Sequence, residues 1–389
     1  MKSFRADYVF PICADPVKNG IVTVDDFGKI VAISDQPSDH HNPNAEHLQG
    51  IICPGFVNTH CHLELSHMQG RVEKGTGLVN FIKNLQALRN SEPEEVEAAA
   101  IAADAAMYQQ GIVAVGDIAN SSITAHVKAK SKLYYHTFVE IFSFTPARAE
   151  AAFQGALEIT EQFKPLPVSI TPHAPYSVSK ELFRMIKNYA DHHANLISMH
   201  NQECDDENKF FRYKLGEFVS LYEHFGIDIN FFKPQARNSI QSVLPLLTNK
   251  QPILLVHNTC TNLKDIYFIK RFDRKINWCF CPNANLYIEG KLPKVDLFAD
   301  QGFNITLGTD SLASNHMLSI LDEMLVLQSN FPKLELKRLL EWGTLNGAKF
   351  LGIENKYGSI EAGKTPGLNL ITGLDDLRLT GNSEVRRLI

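Results

Sequence analysis

The chain of 389 residues predicts an α/β fold of the (β/α)8 TIM-type barrel class, with a small β-domain formed from both chain ends. Three observations carry this expectation. From Ile51 onward, short apolar, β-branched runs alternate with longer helical patterns; the runs number eight; and both ends of the chain read as short strands and turns. The runs are IICPGFVNTH, GIVAVGDI, LYYHTFVEIFSF, PLPVSITPH, ANLISMHN, QPILLVHN, INWCFCPN and GFNITLGTDS. Strands buried on both faces read as continuous apolar runs and need crossover helices, which is how a parallel barrel looks in sequence.

Taken in order, the N-terminal segment holds a YVFPI run and then GIVTVDDFGKIVAIS, an apolar hairpin turning at Asp26-Phe27-Gly28. Between the eight runs lie amphipathic stretches such as EPEEVEAAAIAADAAMYQQ and KELFRMIKNYADHH, which predict helices. Residues 201–250 exceed what one helix requires and carry Phe210, Phe211, Tyr213, Phe218, Phe231 and Phe232. They read as a helix pair on the barrel wall, with the alternative that part of the segment covers the site mouth. The C-terminal YGSIEAGKTPGLNLITGL is punctuated by Gly358, Gly363, Pro366 and Gly367 as a turn-rich β segment. Pairing the two ends gives a small β-sandwich-like domain of residues 1–53 and 355–389 around a barrel of residues 54–354.

Composition narrows the function. A hydrophobic content of 44% supports a large core, and a formal net charge of −5 offers no basic excess for nucleic acid or an anionic membrane. The trio Lys128, Lys130 and Lys132 reads as a solvated helix face. Seven scattered cysteines fit neither a zinc ribbon nor a secreted disulfide frame. Cys279 and Cys281 alternate along a strand and read as a buried pair. The N-terminal apolar stretch is broken by Pro11, so no signal peptide is expected and the chain reads as cytoplasmic. A homo-oligomer stays open, because one chain displays no legible seam.

The chemistry-bearing residues fall at strand ends. His60 and His62 form His-x-His after the first run, where alternate side chains point the same way. The fifth run ends in His200 and continues to Glu203, the sixth ends in His257, and the eighth ends in Gly-Thr-Asp310-Ser. Three imidazoles and a carboxylate suit one divalent ion, Zn2+ first and Fe2+ second, with room for a water.

The stretches PGFVNTHCHLELS, TPHAPYSVS, SMHNQE, LLVHN, CPNANL, LGTDSLAS and GSIEAGK together resemble the amidohydrolase superfamily, in the branch of adenosine-type and guanine deaminases and chlorohydrolases. That resemblance implies His60, His62, His200 and Asp310 as metal ligands, Glu203 as proton shuttle and His257 as an assistant at the water or substrate. The fourth run ends in Ile170-Thr171-Pro172-His173 without the lysine that bridges two metals in related branches, which implies one metal and deamination. The expected chemistry is hydrolytic: a protonated Glu203 supplies a proton to a ring nitrogen, Asp310 relays the proton of a water activated by the ion to the departing ammonia, and His257 steadies the developing alkoxide.

His-Leu-Glu64-Leu resembles the form found in deaminases acting on aminodeoxyfutalosine, an adenine nucleoside-like intermediate of an alternative menaquinone route. Glu64 is therefore expected either to bind a ribose hydroxyl or ring N–H, or to hold His60 or His62 from behind. His173 is expected to face the ligand. Ala284, where relatives carry serine, is expected to remove a hydroxyl near the pocket. The alternatives are a hydrolase of guanine, a pterin or a triazine, and a non-catalytic binding protein on the same barrel.

Overall fold

The structure, a computed structural model, describes residues 1–34, 45–272 and 275–389; residues 35–44 of the expected N-terminal domain lie outside it. Eight parallel strands arise from the eight runs: β1 (Phe56–Cys61), β2 (Ile112–Ala119), β3 (Tyr134–Ile141), β4 (Val168–Pro172), β5 (Ile197–Asn201), β6 (Ile253–His257), β7 (Ile276–Phe280) and β8 (Asn304–Leu307). They pair as two four-stranded parallel sheets, β1-β2-β3-β4 and β5-β6-β7-β8.

The sheets abut along both outer edges. Ser198 N–H donates to Thr171 Oγ1 at 2.8 Å and His200 N–H to the His173 carbonyl at 2.9 Å. On the far side Cys61 and Asp310 form a parallel bridge, and the N–H groups of Thr309 and Asp310 both donate to the His60 carbonyl at 3.0 Å. All eight strands run the same way, so their C-terminal ends gather on one face.

Local sequence explains the elements between strands. Ser179 accepts the Leu182 N–H at 3.2 Å and starts the helix Lys180–His192, which buries Leu182, Phe183, Ile186 and Ala190 on one stripe. Pro93 opens the helix Pro93–Gln109, with Glu94 and Glu95 in its first turn. Trp278 and Phe280, both fully buried, meet the Phe298 ring edge-on at 4.8 and 5.2 Å. Burying each such side chain contributes roughly 1.5–3 kcal/mol.

Both chain ends build one seven-stranded sheet, whose main path runs Glu384–Arg387, Leu368–Thr372, Glu46–Pro54, Lys2–Val9, Ile21–Val24 and Ile30–Ser34. Among the described residues this is one sheet, in place of the two layers that a sandwich would have. The hairpin turns where expected: Gly28, at φ 77°, donates its N–H to the Asp25 carbonyl. The run IICPGFVNTH divides into two strands at Gly55, a position closed to any side chain because a Cβ there would lie 2.2 Å from Val113 and 2.7 Å from the Pro366 carbonyl. Its first half belongs to the terminal sheet and only its second half to β1.

Lys128 corrects the reading of a solvated lysine trio. Lys130 and Lys132 are exposed, but Lys128 is fully buried, 2.5 Å from Asp117 on β2, and donates to Thr137 Oγ1 at 3.0 Å. Asp117 in turn accepts the Leu63 N–H at 2.8 Å, one residue beyond His62. A buried carboxylate demands the cation, and helix spacing alone does not reveal it. Lys128→Met leaves Asp117 charged and unpaired and is expected to cost about 3–5 kcal/mol of unfolding free energy in urea titration. Adding Asp117→Asn is expected to restore most of that loss; equal losses in the single and double variants would show that the pair is not coupled.

Candidate active site

His60 and His62, on and just after the last turn of β1, bring their Nε2 atoms within 3.2 Å of each other. Asp310, three residues past β8, places Oδ1 at 3.7 Å from His60 Nε2 and 3.3 Å from His62 Nε2. With His200 at the end of β5, the four residues offer ligand atoms that all lie within 4.8 Å of one another. His200 Nδ1 donates to the His173 carbonyl at 2.9 Å, so Nε2 is the nitrogen left to bind.

These donors fit a divalent cation. Burial holds His62 well below the usual histidine range and brings His200 down to about 4. Burial pushes the Asp310 carboxyl up, but its contact with His60 and the facing imidazoles outweigh this and hold it well below the usual range. His60 differs: burial pulls it down, but its hydrogen bond to Asp310 and the charge of that carboxylate outweigh burial and hold it above the usual histidine range, so an ion would displace a proton shared by this pair while His62 and His200 stand neutral.

The geometry rests on tight backbone choices. Gly308 is required because a Cβ would meet His60 Cβ at 2.8 Å and Cys279 Sγ at 2.9 Å. Gln202, His257, Asn258 and Asp310 all have positive φ, at 47°, 71°, 60° and 58°, on strand ends that face the site. Such backbone persists only where neighbours over-determine it. Asn258 supplies part of that support, its Nδ2 donating to the Leu255 carbonyl at 2.8 Å and the Cys279 carbonyl at 3.2 Å. Asn58 supplies more, its Nδ2 donating to Thr309 Oγ1 at 2.7 Å and its Oδ1 accepting the Thr309 N–H at 3.2 Å.

Glu203 and His257 stand beside the ligand set. Glu203 is buried, its Oε2 3.8 Å from His257 Nε2, and burial, reinforced by the Asp310 charge, pushes its carboxyl well above the usual range. Asn285 Nδ2 donates to His257 Nδ1 at 3.2 Å, so neutral His257 carries its proton on Nε2, which has no protein partner. Asn285 therefore sets the tautomer, a role its sequence position alone does not disclose. Ala284 packs in the apolar cluster with Val57, Val256 and Cys281, and is not among the residues that line the main cavity. Cys279 and Cys281 are indeed both buried, with their sulfurs 4.0 Å apart.

Glu64 does not bond to His60 or His62. Its carboxylate accepts the N–H groups of Asn120 and Ser121 at 3.1 and 3.2 Å and the Ser121 hydroxyl at 3.0 Å, with Arg89 at 3.5 Å. His173 lies beside His200 with centroids 4.8 Å apart and rings tilted by 39°, bonds Ser177 through Nδ1 at 2.7 Å, and lines the cavity. Glu140, at the end of β3, carries no signal in the sequence because it sits within an ordinary apolar run. It lies 3.4 Å from His200 Nδ1 and accepts the Asn120 amide at 3.0 Å.

A cavity of about 990 Å³ opens from His62, Glu140 and His173. The 201–250 segment folds into helices Asp205–Tyr213, Glu217–His224 and Ser239–Val243. Phe210 and Phe218 are buried against the core, while Tyr222, Phe225 and Phe231 line the cavity. The segment thus packs on the core through three helices and also forms part of the cavity wall.

Fold and ligand set define a hydrolase built to hold a divalent cation. The amidohydrolase family model matches residues 51–385, and the chain belongs to that family, as its motifs imply. The chain is 28% identical over 357 residues to an adenosine deaminase of Helicobacter pylori, covering 88% of this chain and 85% of that one. Its fold matches an aminofutalosine deaminase of H. pylori solved with methylthio-coformycin, at TM-score 0.83 and 23% identity over the whole of both chains. It also matches an adenosine deaminase of Xanthomonas campestris solved with bound zinc, at TM-score 0.74 and 22% identity over 95% of this chain and 84% of the other.

Glu323 ties together the loops after β7 and β8: its carboxylate accepts the Asn283 N–H and the Asn315 amide, each at 2.9 Å. Burial lifts its carboxyl from 4.5 to about 8. The folded protein therefore keeps a proton that the unfolded chain releases, and this stabilisation is full below pH 4.5 and lost as pH rises through about 8. Urea titrations with chelator present are expected to show a flatter decline of stability across that window in Glu323→Gln than in the wild type. An unchanged slope would mean that Glu323 is ionised in the folded state.

Proposed function

We propose that the protein is a metal-dependent aminohydrolase that deaminates an adenine nucleoside-like substrate, 6-amino-6-deoxyfutalosine of menaquinone biosynthesis, in the cytoplasm. The observation that carries this reading is a buried acid, Glu203, facing a histidine of fixed tautomer beside a His3Asp ligand set. The relatives named above act on adenine nucleosides or aminofutalosine by their names, and the motif around Glu64 resembles that second group.

In this reading the two parallel sheets close into a (β/α)8 barrel over residues 54–354, with residues 1–53 and 355–389 as a separate small domain. His60, His62, His200 and Asp310 would hold one divalent ion, Zn2+ in first place and Fe2+ in second, which supplies Lewis acidity and lowers the pKa of a water toward about 7. Glu203, kept protonated by burial, donates to a ring nitrogen of the purine and makes the amino-bearing carbon electrophilic. Asp310 accepts a proton of the attacking water through its carboxylate, which Ser314 orients by a 2.7 Å hydrogen bond to Oδ2, and returns it to the amino group, which leaves as ammonia when the C–N bond breaks; the water's second proton restores Glu203. His257 Nε2–H donates to the oxygen that gains negative charge. The aromatic walls exclude water and give a heterocycle flat apolar faces to pack on.

The test is ammonia release by the zinc-loaded protein from aminodeoxyfutalosine, adenosine, methylthioadenosine, S-adenosylhomocysteine, guanine and a pterin. Selective turnover of aminodeoxyfutalosine is expected. Turnover of guanine or the pterin alone would replace the substrate, and silence on the whole panel would remove the deaminase reading. Glu203→Gln is expected to retain one metal per chain and lose about 10²–10⁴-fold in kcat. Near-normal turnover by that metal-replete variant would take Glu203 out of the mechanism.

A further inference from the structure

Glu203 is buried, yet among the described residues no hydrogen bond holds its carboxyl; His257 Nε2, at 3.8 Å, lies beyond bonding reach. Its aim is therefore set by the backbone that carries it. One residue earlier that backbone is unusual. Gln202 has φ 47°, in the left-handed region that a residue with a Cβ enters at a cost. Released from its neighbours, Gln202 would return to negative φ, and the peptide unit leading to Glu203 would turn with it.

Every polar group of the buried Gln202 is engaged. Its carbonyl accepts the Cys260 N–H at 2.8 Å, and its side-chain oxygen accepts the Thr261 hydroxyl at 2.7 Å. Its Nε2 donates to Asn208 Oδ1 at 3.0 Å and to Asp265 Oδ2 at 3.1 Å. The backbone N–H goes to Glu207 Oε1 at 3.0 Å, and the Glu203 N–H also bears on that carboxylate. These two N–H groups stand on either side of the Gln202 Cα, so one acceptor that takes both fixes φ and ψ of that residue together.

Helix capping alone does not account for Glu207. It is the third residue of the helix Asp205–Tyr213, where a glutamate ordinarily reaches back to the N–H of the cap residue. The cap is Cys204, and Glu207 passes over it to the residue before Glu203. Asp205 and Asp206 already place negative charge in the same first turn, from positions in contact with solvent. Glu207 is instead fully buried, and burial pushes its carboxyl up to about 7. We propose that Glu207 is the positioning residue for the acid: by holding the N–H groups of Gln202 and Glu203, it keeps the Glu203 carboxyl aimed into the site. The inference rests on the deaminase reading above.

The experiment measures kcat, KM and bound zinc for the wild type, Glu207→Ala, Glu207→Asp and Glu207→Gln, on whichever substrate of the panel above the wild type turns over. Alanine removes the acceptor, and aspartate is one methylene too short to reach. Each is expected to lower kcat about 10- to 100-fold, with KM within about threefold and zinc unchanged. Glutamine keeps the acceptor and the volume, and is expected to stay within about threefold of the wild type. Because Glu207 acts through Glu203, adding Glu207→Ala to Glu203→Gln is expected to change kcat by no more than about threefold beyond Glu203→Gln alone. Losses that multiply in the double variant, a loss of zinc, or a Glu207→Gln as impaired as Glu207→Ala would overturn the inference. So would an unchanged kcat in the alanine and aspartate variants, or the failure of both to fold, which would assign Glu207 to the fold alone. Silence of the zinc-replete wild type on the whole panel would remove the deaminase reading and this inference together, a result distinct from turnover that Glu207 does not affect.

Discussion

Three electron-rich atoms, His60 Nε2, His62 Nε2 and Asp310 Oδ1, are held within 3.7 Å of one another. Much of the surrounding structure is arranged to hold this cluster in place. Gly308 lets β8 press against His60, the His60 carbonyl takes two N–H groups from the strand end carrying Asp310, and Asn58 clamps Thr309 from the β1 side. These backbone contacts and the packed core add to the contacts that His60, His62 and Asp310 make with one another. Preorganisation of this kind means that an arriving ion meets a finished site.

The same economy recurs around the site, where several buried polar groups each fix one feature of the geometry. Asp117 pins the chain after His62, and Glu323 joins two loops. Asn285 fixes the tautomer of His257, and Asn258 supports a left-handed strand end. Each such network fixes geometry at the cost of desolvation, so it specifies position more than it adds stability. Glu140 stands behind His200 with Oε1 3.4 Å from Nδ1, while Glu64, the neighbouring carboxylate, has both oxygens engaged by the end of β2.

Residue patterns make the site legible where chemistry coincides with strand ends. His60, His62, His200, Glu203, His257 and Asp310 are each marked by a polar residue at or just past the end of an apolar run, and their convergence follows from strands that all run one way. Lys128, Glu140 and Ala284 carry no such mark. A lysine in a helix, a glutamate inside an apolar run and an alanine beside an asparagine have no local signature of burial. Their environments come from residues far away in the chain.

The alternation of eight strands with helices, the terminal β segments and the metal-ligand candidates are all written in residue pattern, because period, run length and residue type are local properties. Tertiary structure alone decided that Gly55 splits one apolar run between two sheets, that Glu64 bonds to Asn120 and Ser121 instead of to a histidine, and that Lys128 lies buried on Asp117. Those outcomes depend on which groups from different strands, helices and loops meet in space. Hydrogen-bond competition between distant partners is not encoded in the spacing of neighbours.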